Sequence, residues 1–186
     1  MTAPRTPALF LDRDGTINRT HISDGKPFAP VRVEDFEILP GVVEVVSRVR
    51  AGGFPVIVVT NQPDLTTGKQ TAESLAAINA VMQKQVAVDD VFVCPHTEAQ
   101  GCDCRKPKPG LIMAASAKWN VDLSRSVMVG DRSRDVLAGQ AAGCYTVYID
   151  GHYDEPRPER ADRVVASLAE AEEFIIGVLK GGYFAG

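Results

Sequence analysis

The sequence ALFLDRDGTIN, at residues 8–18, is the strongest indication of the fold. A short apolar run leads into Asp12 and Asp14, and Gly15 allows the backbone to turn sharply behind them. An apolar run of this length is typical of a strand buried on both faces. Because Asp and Gly are also common in plain solvated turns, this stretch alone leaves open whether the acids are functional.

Four later runs have the same character. They are short, rich in Val, Ile and aromatic residues, and end in polar side chains: 55–61, 91–96, 126–131 and 144–150. Between the runs lie helical patterns, which we expect within 41–53, 70–87, 110–119, 133–142 and 168–180. Strands alternating with helices predict a three-layer α/β fold with a mainly parallel sheet, which binds ligands at the carboxyl ends of its strands.

The apolar stripes of the first two helices are clear in the sequence. One stripe is formed by Val42, Val45, Val46 and Val49, and the other by Leu75, Ile78, Met82 and either Gln85 or Val86. The segment 150–160 is dominated by Pro and charged residues, so we expect an exposed loop there.

The composition is that of an ordinary globular protein. The 186 residues are 45% hydrophobic and 24% charged, with a formal net charge of −4, and we expect a single domain over 1–186. The acidic balance disfavours nucleic acid as a partner. No apolar run is long enough to span a bilayer, and the N-terminus lacks the pattern of a secretory signal, so we expect a cytoplasmic protein without a membrane partner.

Polar side chains end three of the predicted strands. Asp12 follows the first strand, Thr60 and Asn61 end the second, and Asp131 ends the fourth. Oxygen ligands that converge on one sheet edge suit Mg²⁺ and a phosphoryl group. Asp135 falls in the first turn of the following helix, where a carboxylate is also favoured for structural reasons.

The motifs DRDGT, VVTN, RKPKPG and VGDRSRD, in this order, resemble the haloacid dehalogenase superfamily of phosphohydrolases, over roughly residues 8–150. The segment CPH followed by CDCRKPKPG is similar to the D,D-heptose 1,7-bisphosphate 7-phosphatases and their relatives, the histidinol-phosphate phosphatases. The resemblance implies a Rossmann-like fold and a Mg²⁺-dependent phosphomonoesterase that acts on a sugar phosphate.

The resemblance also implies a role for each acid at the sheet edge. Asp12 would be the nucleophile that forms an aspartyl-phosphate, and Asp14 the general acid and base. Asp12, the backbone carbonyl of Asp14, and Asp131 would hold Mg²⁺.

Further roles follow for the residues around those acids. Thr60 and Lys106 would bind the phosphoryl oxygens, with Asn61 beside them. Arg105 would meet the second polar or anionic end of the substrate, whereas we expect Lys108 to be an ordinary solvated lysine.

Three of the four cysteines lie in 94–104. Cys94, His96, Cys102 and Cys104 form a C-x-H-x₅-C-x-C pattern, a Cys₃His set suited to a closed, structural Zn²⁺ site. In a reducing compartment such a cluster favours a metal over a disulfide. We expect Cys144, which lies in an apolar run, to be a core residue.

The sequence departs from the family pattern on the expected substrate side. Thr67 stands where the heptose phosphatases lead us to expect an arginine, and the zinc loop has only five residues between its two ligand pairs. No insertion is large enough for a cap domain, so a flap over 19–36 is expected instead. His21 or Ser23 of this flap could touch substrate, although His21 could equally be a plain loop histidine.

The leading hypothesis is a heptose 1,7-bisphosphate 7-phosphatase, with a small phosphorylated sugar as its partner and a monomeric state. The alternatives are a histidinol-phosphate phosphatase, a nucleic-acid 3′-end phosphatase and, from another class, a zinc-loop binding module without catalysis. The acidic charge and the absence of an aromatic and basic stripe argue against nucleic acid. The intact set of acids with Lys106 argues against the binding module.

Overall fold

The computed structural model describes residues 4–182, so the two ends of the predicted domain, 1–3 and 183–186, lie outside it. A six-stranded sheet forms its centre, in the order β5-β4-β1-β6-β7-β8, and every neighbouring pair in it is parallel. Its strands are β1 (Leu9–Leu11), β4 (Val56–Asn61), β5 (Asp90–Cys94), β6 (Val127–Gly130), β7 (Tyr145–Ile149) and β8 (Arg163–Val165). The strands β2 (His21–Ser23) and β3 (Lys26–Phe28) form a separate antiparallel hairpin.

In the part of the chain that the structure describes, six α-helices accompany the sheet: α1 (Val42–Ala51), α2 (Asp64–Thr67), α3 (Ala72–Val86), α4 (Gly110–Trp119), α5 (Ser133–Ala142) and α6 (Glu172–Leu179). Among the helices within 4–182, none has both the length and the apolar character needed to cross a membrane.

The two faces of the sheet pack against different helices. Successive side chains of a strand point to opposite faces, and accordingly Leu9 and Leu11 belong to one apolar cluster and Phe10 to the other. The first cluster includes side chains of α1, α3 and α6, and the second those of α4 and α5. The structure therefore has three layers, as the sequence predicts.

Most of the predicted elements are confirmed. All five strands are present within two residues of their predicted bounds, and the buried stripes of α1 and α3 are those predicted, with Val86 rather than Gln85 in the second. The last helix begins at Glu172 and not at 168, because residues 169–171 form a 3₁₀ turn. The sequence analysis missed β8 and α2, which are only three and four residues long and have no fully buried side chain to mark a period.

Two connections follow the carboxyl ends of β1 and β7. Between β1 and α1 the chain forms the β2–β3 hairpin and a 3₁₀ turn, so the flap over 19–36 is present and residues 4–182 contain no large cap domain. The loop 150–160 has no helix or strand, as expected, but it is not simply exposed, because Tyr153 and Glu155 are half-buried.

Helix α5 lies unusually close to the sheet at Gly139. A Cβ atom on this residue would lie 2.7 Å from Cβ of Met128 on β6 and 2.8 Å from Cγ2 of Thr146 on β7. Gly177 in α6 is the opposite case, because a Cβ atom there would have no neighbour within 4 Å. The two helical glycines therefore form a matched pair.

We predict that Gly139→Ala destabilises the protein by about 1–3 kcal/mol, because neither neighbour can move without shifting the sheet. Gly177→Ala should stabilise it by about 0.5–1 kcal/mol, since it only reduces the flexibility of the unfolded chain. Chemical denaturation of the two variants measures both effects. Equal stabilisation by the two substitutions would contradict the packing of α5 described above.

Candidate active site

Three buried carboxylates meet at the carboxyl edge of the sheet. Asp12 follows β1, Asp131 follows the neighbouring β6, and Asp135 lies in the first turn of α5. Each is less than one-tenth exposed, and one oxygen of each lies within 4.8 Å of the others. Gly15 makes this close approach possible, because a Cβ atom on it would lie 1.9 Å from Oδ2 of Asp131.

Lys106 reaches into this cluster from the loop before α4. Its Nζ lies 2.7 Å from Oδ1 of Asp12 and 2.6 Å from Oδ1 of Asp135, and it donates a hydrogen bond to the carbonyl of Val59 at 2.7 Å. The side chain is 1% exposed. Although burial disfavours its charge, the two carboxylates raise the pKa of Lys106 above its ordinary value. The lysine is therefore held as a cation.

One ammonium group does not compensate three carboxylates. Burial, together with Asp135 and Asp14, raises the pKa of Asp12 to about 6, although Lys106 acts in the opposite direction. Burial and the neighbouring Asp12 and Asp135 raise the pKa of Asp131 well above its ordinary value. Both oxygens of Asp131 are buried, and among residues 4–182 the polar group beside them is the Tyr153 hydroxyl, which does not reach full hydrogen-bond geometry. A buried carboxylate whose charge is not compensated by the protein is typical of a ligand to a divalent cation.

The side chain of Asp14 lines the same cavity as Asp12 and is held by three donors. Its carboxylate forms an ion pair with Arg13 at 3.0 Å and accepts hydrogen bonds from Asn18 at 3.0 Å and Gln62 at 2.7 Å. Arg13 is completely buried and also donates to Asn79 of α3. The side chain of Asp14 is outside the group of candidate metal ligands, Asp12, Asp131 and Asp135. That the backbone carbonyl of Asp14 binds Mg²⁺ stays a prediction.

The sequence analysis missed Arg13, Asn18 and Gln62. Arg13 lies between the two acids of the DRDG motif, a position where the sequence suggests an exposed arginine. In the structure its exposure is 0%. Gln62 follows Thr60 and Asn61, and this position next to two predicted site residues could have identified it as a site residue.

The two polar residues at the end of β4 support the neighbouring groups. The Thr60 hydroxyl is buried and accepts a hydrogen bond from Gln62 at 2.9 Å. Asn61 uses both ends of its amide on the backbone of Lys106: it donates to the carbonyl at 3.1 Å and accepts from the N–H at 3.1 Å. Asn61 therefore fixes the loop that carries Lys106.

The four predicted zinc ligands come together beside this loop. Cys94 ends β5, and its Sγ lies 3.6 Å from Sγ of Cys102, 3.2 Å from Sγ of Cys104 and 3.5 Å from Nδ1 of His96. All three cysteines are free thiols. The arrangement is a possible Cys₃His metal site. Cys144 is buried in the core, as expected.

A cavity of about 270 Å³ opens above Asp12 and Lys106. The hairpin contributes Lys26 and Phe28 to its walls, and the start of α5 contributes Arg132 and Arg134. The structure does not bring every predicted residue here. His21 and Ser23 are exposed on β2, Thr67 is exposed at the end of α2, Arg105 lines a neighbouring groove, and Lys108 is exposed beside Asp103.

The loop 150–160 closes one side of this site through three successive residues. The hydroxyl of Tyr153 lies beside Asp131 and 3.5 Å from the Thr20 hydroxyl. The backbone N–H of Asp154 donates to the carbonyl of Gly25, at the hairpin turn, at 2.8 Å. Glu155 accepts a hydrogen bond from Nε of Arg132 at 2.7 Å. The loop thereby connects the hairpin to the start of α5.

Sequence comparison places these residues among known enzymes. A family profile described as HAD-hydrolase-like matches residues 103–171. The chain is 34% identical, over 93% of its length and 95% of the relative's, to D-glycero-beta-D-manno-heptose-1,7-bisphosphate 7-phosphatase of Escherichia coli K12. It is 36% identical to the protein of the same name from Vibrio cholerae, over 75% of this chain and 78% of that one.

Structural comparison agrees with the sequence. The D,D-heptose 1,7-bisphosphate phosphatase of B. bronchiseptica, solved in complex with magnesium and phosphate, superimposes with a TM-score of 0.80 at 31% identity, over 92% of this chain and 98% of that one. This chain belongs to the D,D-heptose 1,7-bisphosphate phosphatase family within the haloacid dehalogenase-like hydrolases.

Proposed function

We propose that this protein is a phosphomonoesterase that removes the 7-phosphate of D-glycero-D-manno-heptose 1,7-bisphosphate. The observation that carries the proposal is Asp12, a buried carboxylate at the floor of the cavity that is held in place by Lys106. The family relationship over nearly the whole chain supports the choice of substrate. The relatives' name specifies the β anomer, so this anomer is the first to test.

The residues of the cavity suit a two-step transfer. Asp12 attacks the phosphorus and forms an aspartyl-phosphate, while Asp14 gives a proton to the leaving sugar oxygen and later takes one from the attacking water. Lys106 and the Thr60 hydroxyl stabilise the phosphoryl oxygens. Arg13, Asn18 and Gln62 orient the carboxylate of Asp14 for both steps.

The acidic cluster fits Mg²⁺, because Asp12, Asp131 and Asp135 bring three buried carboxylates together and no cation among residues 4–182 pairs with Asp131. Asp12 and Asp131 would hold the ion together with the backbone carbonyl of Asp14. When bound, Mg²⁺ neutralises the charge that otherwise opposes the approach of a phosphate to a carboxylate.

A direct assay tests the substrate. Phosphate release should be fastest from β-heptose 1,7-bisphosphate in a panel that includes the α anomer, histidinol phosphate and a 3′-phosphorylated oligonucleotide. Faster release from histidinol phosphate would assign the protein to that alternative. The expectations of a single domain over 1–186, a monomer and a cytoplasmic location belong to the same proposal.

We predict that Asp12→Asn lowers kcat on the order of 10³-fold or more, because the amide cannot act as the nucleophile. The fold should remain, since the variant removes one of three clustered buried charges. The matched control is Asp24→Asn in the exposed hairpin turn, which should keep full activity. Rapid acid quench of the wild type should trap a phosphorylated peptide containing Asp12. Substantial turnover by Asp12→Asn would contradict the covalent mechanism.

We also propose that Cys94, His96, Cys102 and Cys104 bind one structural Zn²⁺. Tetrahedral Zn²⁺ sites with Zn–S distances of about 2.3 Å have sulfur–sulfur distances of about 3.8 Å. The sulfur distances of 3.2–3.6 Å in the cluster approach this value. Because Lys106 follows Cys104 by two residues, the zinc would order the loop that delivers the lysine to the phosphoryl group.

We predict about one Zn²⁺ per chain in the purified protein, in addition to exchangeable Mg²⁺. Cys102→Ala should lose the zinc and much of the activity while keeping the sheet, and added Mg²⁺ should not restore it. The matched control is Cys144→Ala, which removes a buried thiol outside the cluster and should retain the zinc. Elemental analysis with parallel kinetics measures both, and a zinc-free Cys102→Ala protein with normal kcat would refute the account.

A further inference from the structure

Three arginines surround the mouth of the cavity in an otherwise acidic protein. Arg132 and Arg134 lie at the start of α5 and line the cavity, and Arg105 lies in the loop after the cysteine cluster. A substrate with two phosphates needs a cation for the phosphate that does not react. The contacts of the three guanidinium groups show which of them is free to bind this second phosphate.

Two of the arginines are already engaged. Both donor edges of Arg132 face the carboxylate of Glu155, with Nε at 2.7 Å from Oε2 and Nη2 in contact with Oε1. Nη1 of Arg105 donates to the carbonyl of His96 at 3.0 Å, which ties this side chain to the cysteine cluster. The charge of Arg132 is thus neutralised by Glu155, and one nitrogen of Arg105 is bound to the backbone of the cysteine cluster.

Arg134 is the exception. Across residues 4–182 it has neither an ion pair within 4.0 Å nor a hydrogen bond, although the side chain is only partly exposed. Burial and the adjacent charge of Arg132 lower the pKa of its guanidinium, whereas Asp135 acts in the opposite direction. A guanidinium group that has lost water without gaining a partner is unfavourable. A bound anion that accepts hydrogen bonds from the Arg134 guanidinium would remove this cost.

Arg134 also has the right location. It lines the catalytic cavity together with Asp12 and Lys106, and it lines the adjoining groove together with Arg105 and Lys108. A molecule whose reacting phosphate lies on Asp12 would pass Arg134 as it extends from the cavity into the groove. Besides Arg134, the groove is lined by three cations, Arg105, Lys106 and Lys108, and by one acid, Glu98.

The geometry points to Arg134 as the residue that determines specificity for the second phosphate of the substrate, in place of the Arg105 expected from the family pattern. This assignment rests on the proposed heptose bisphosphatase function and adds the residue that recognises the remote anion. Glu155 contributes indirectly, because it occupies Arg132, so that of the two arginines in the cavity wall only Arg134 has no ion pair or hydrogen bond within residues 4–182.

Arg134→Gln tests the assignment with two substrates that differ by one phosphate, β-heptose 1,7-bisphosphate and heptose 7-phosphate. We expect kcat/KM to fall about 10- to 100-fold on the bisphosphate and less than about 3-fold on the monophosphate, since only the first presents the remote anion. Arg134→Lys should recover part of the loss. Inhibition by the product, heptose 1-phosphate, should weaken by a similar factor, which reports binding without turnover.

Two matched variants complete the experiment. Arg105→Gln should change the ratio of the two kcat/KM values less than Arg134→Gln does. Arg125→Gln, an exposed arginine before β6 at the opposite edge of the sheet, should leave the ratio unchanged. The Tm of Arg134→Gln should not fall, because the side chain has no partner to lose.

The outcomes separate the two proposals. A wild-type protein without activity on the bisphosphate would refute the proposed function, and the assignment of Arg134 with it. Activity on the bisphosphate with equal losses on both substrates in Arg134→Gln would refute the assignment alone. A selective loss in Arg105→Gln but not in Arg134→Gln would return the role to Arg105.

Discussion

The contact of Lys106 with Asp12 and Asp135 is the interaction on which the rest of the site depends. The Lys106 ammonium donates hydrogen bonds to Asp12 and to the carbonyl of Val59, and it forms an ion pair with Asp135 at 2.6 Å. A buried charge is tolerated only when it is paired and its hydrogen bonds are satisfied. Because the lysine belongs to a loop, while Asp12 follows β1 and Asp135 lies in α5, this pairing fixes the loop relative to the sheet and to that helix.

The loop of Lys106 has few apolar side chains with which to anchor itself, and polar contacts take their place. Asn61 binds both backbone groups of Lys106, and Arg105 donates to the carbonyl of His96. On the other side of the cysteine cluster, the Thr66 hydroxyl of α2 donates to the carbonyl of Pro95 at 2.7 Å. The cluster of Cys94, His96, Cys102 and Cys104 lies between these contacts, so a metal there would complete a continuous support from α2 to Lys106.

A second support reaches the site from far along the chain. The loop 150–160 follows β7, yet its residues contact the hairpin, the Asp131 carboxylate and Arg132. These contacts arise because β7 lies beside β6, whose end carries Asp131. The loop therefore belongs to the active site. Its Glu155 also changes the electrostatics of the cavity by neutralising one of the two arginines in the wall.

The sequence by itself determined the alternation of strands and helices, because buried parallel strands and amphipathic helices leave distinct apolar patterns. It also determined which acids end β1 and β6, and the Cys₃His set, since the ligand types and their spacing are written in the chain. Short elements such as β8 and α2 left no such pattern. The roles of Arg13, Gln62, Glu155 and Arg134 were decided only by the tertiary structure, because a charged or amide side chain has no sequence signal for its partner. Burial and pairing are set by contacts between distant segments, and these separate the paired Arg132 from the unpaired Arg134 two residues later.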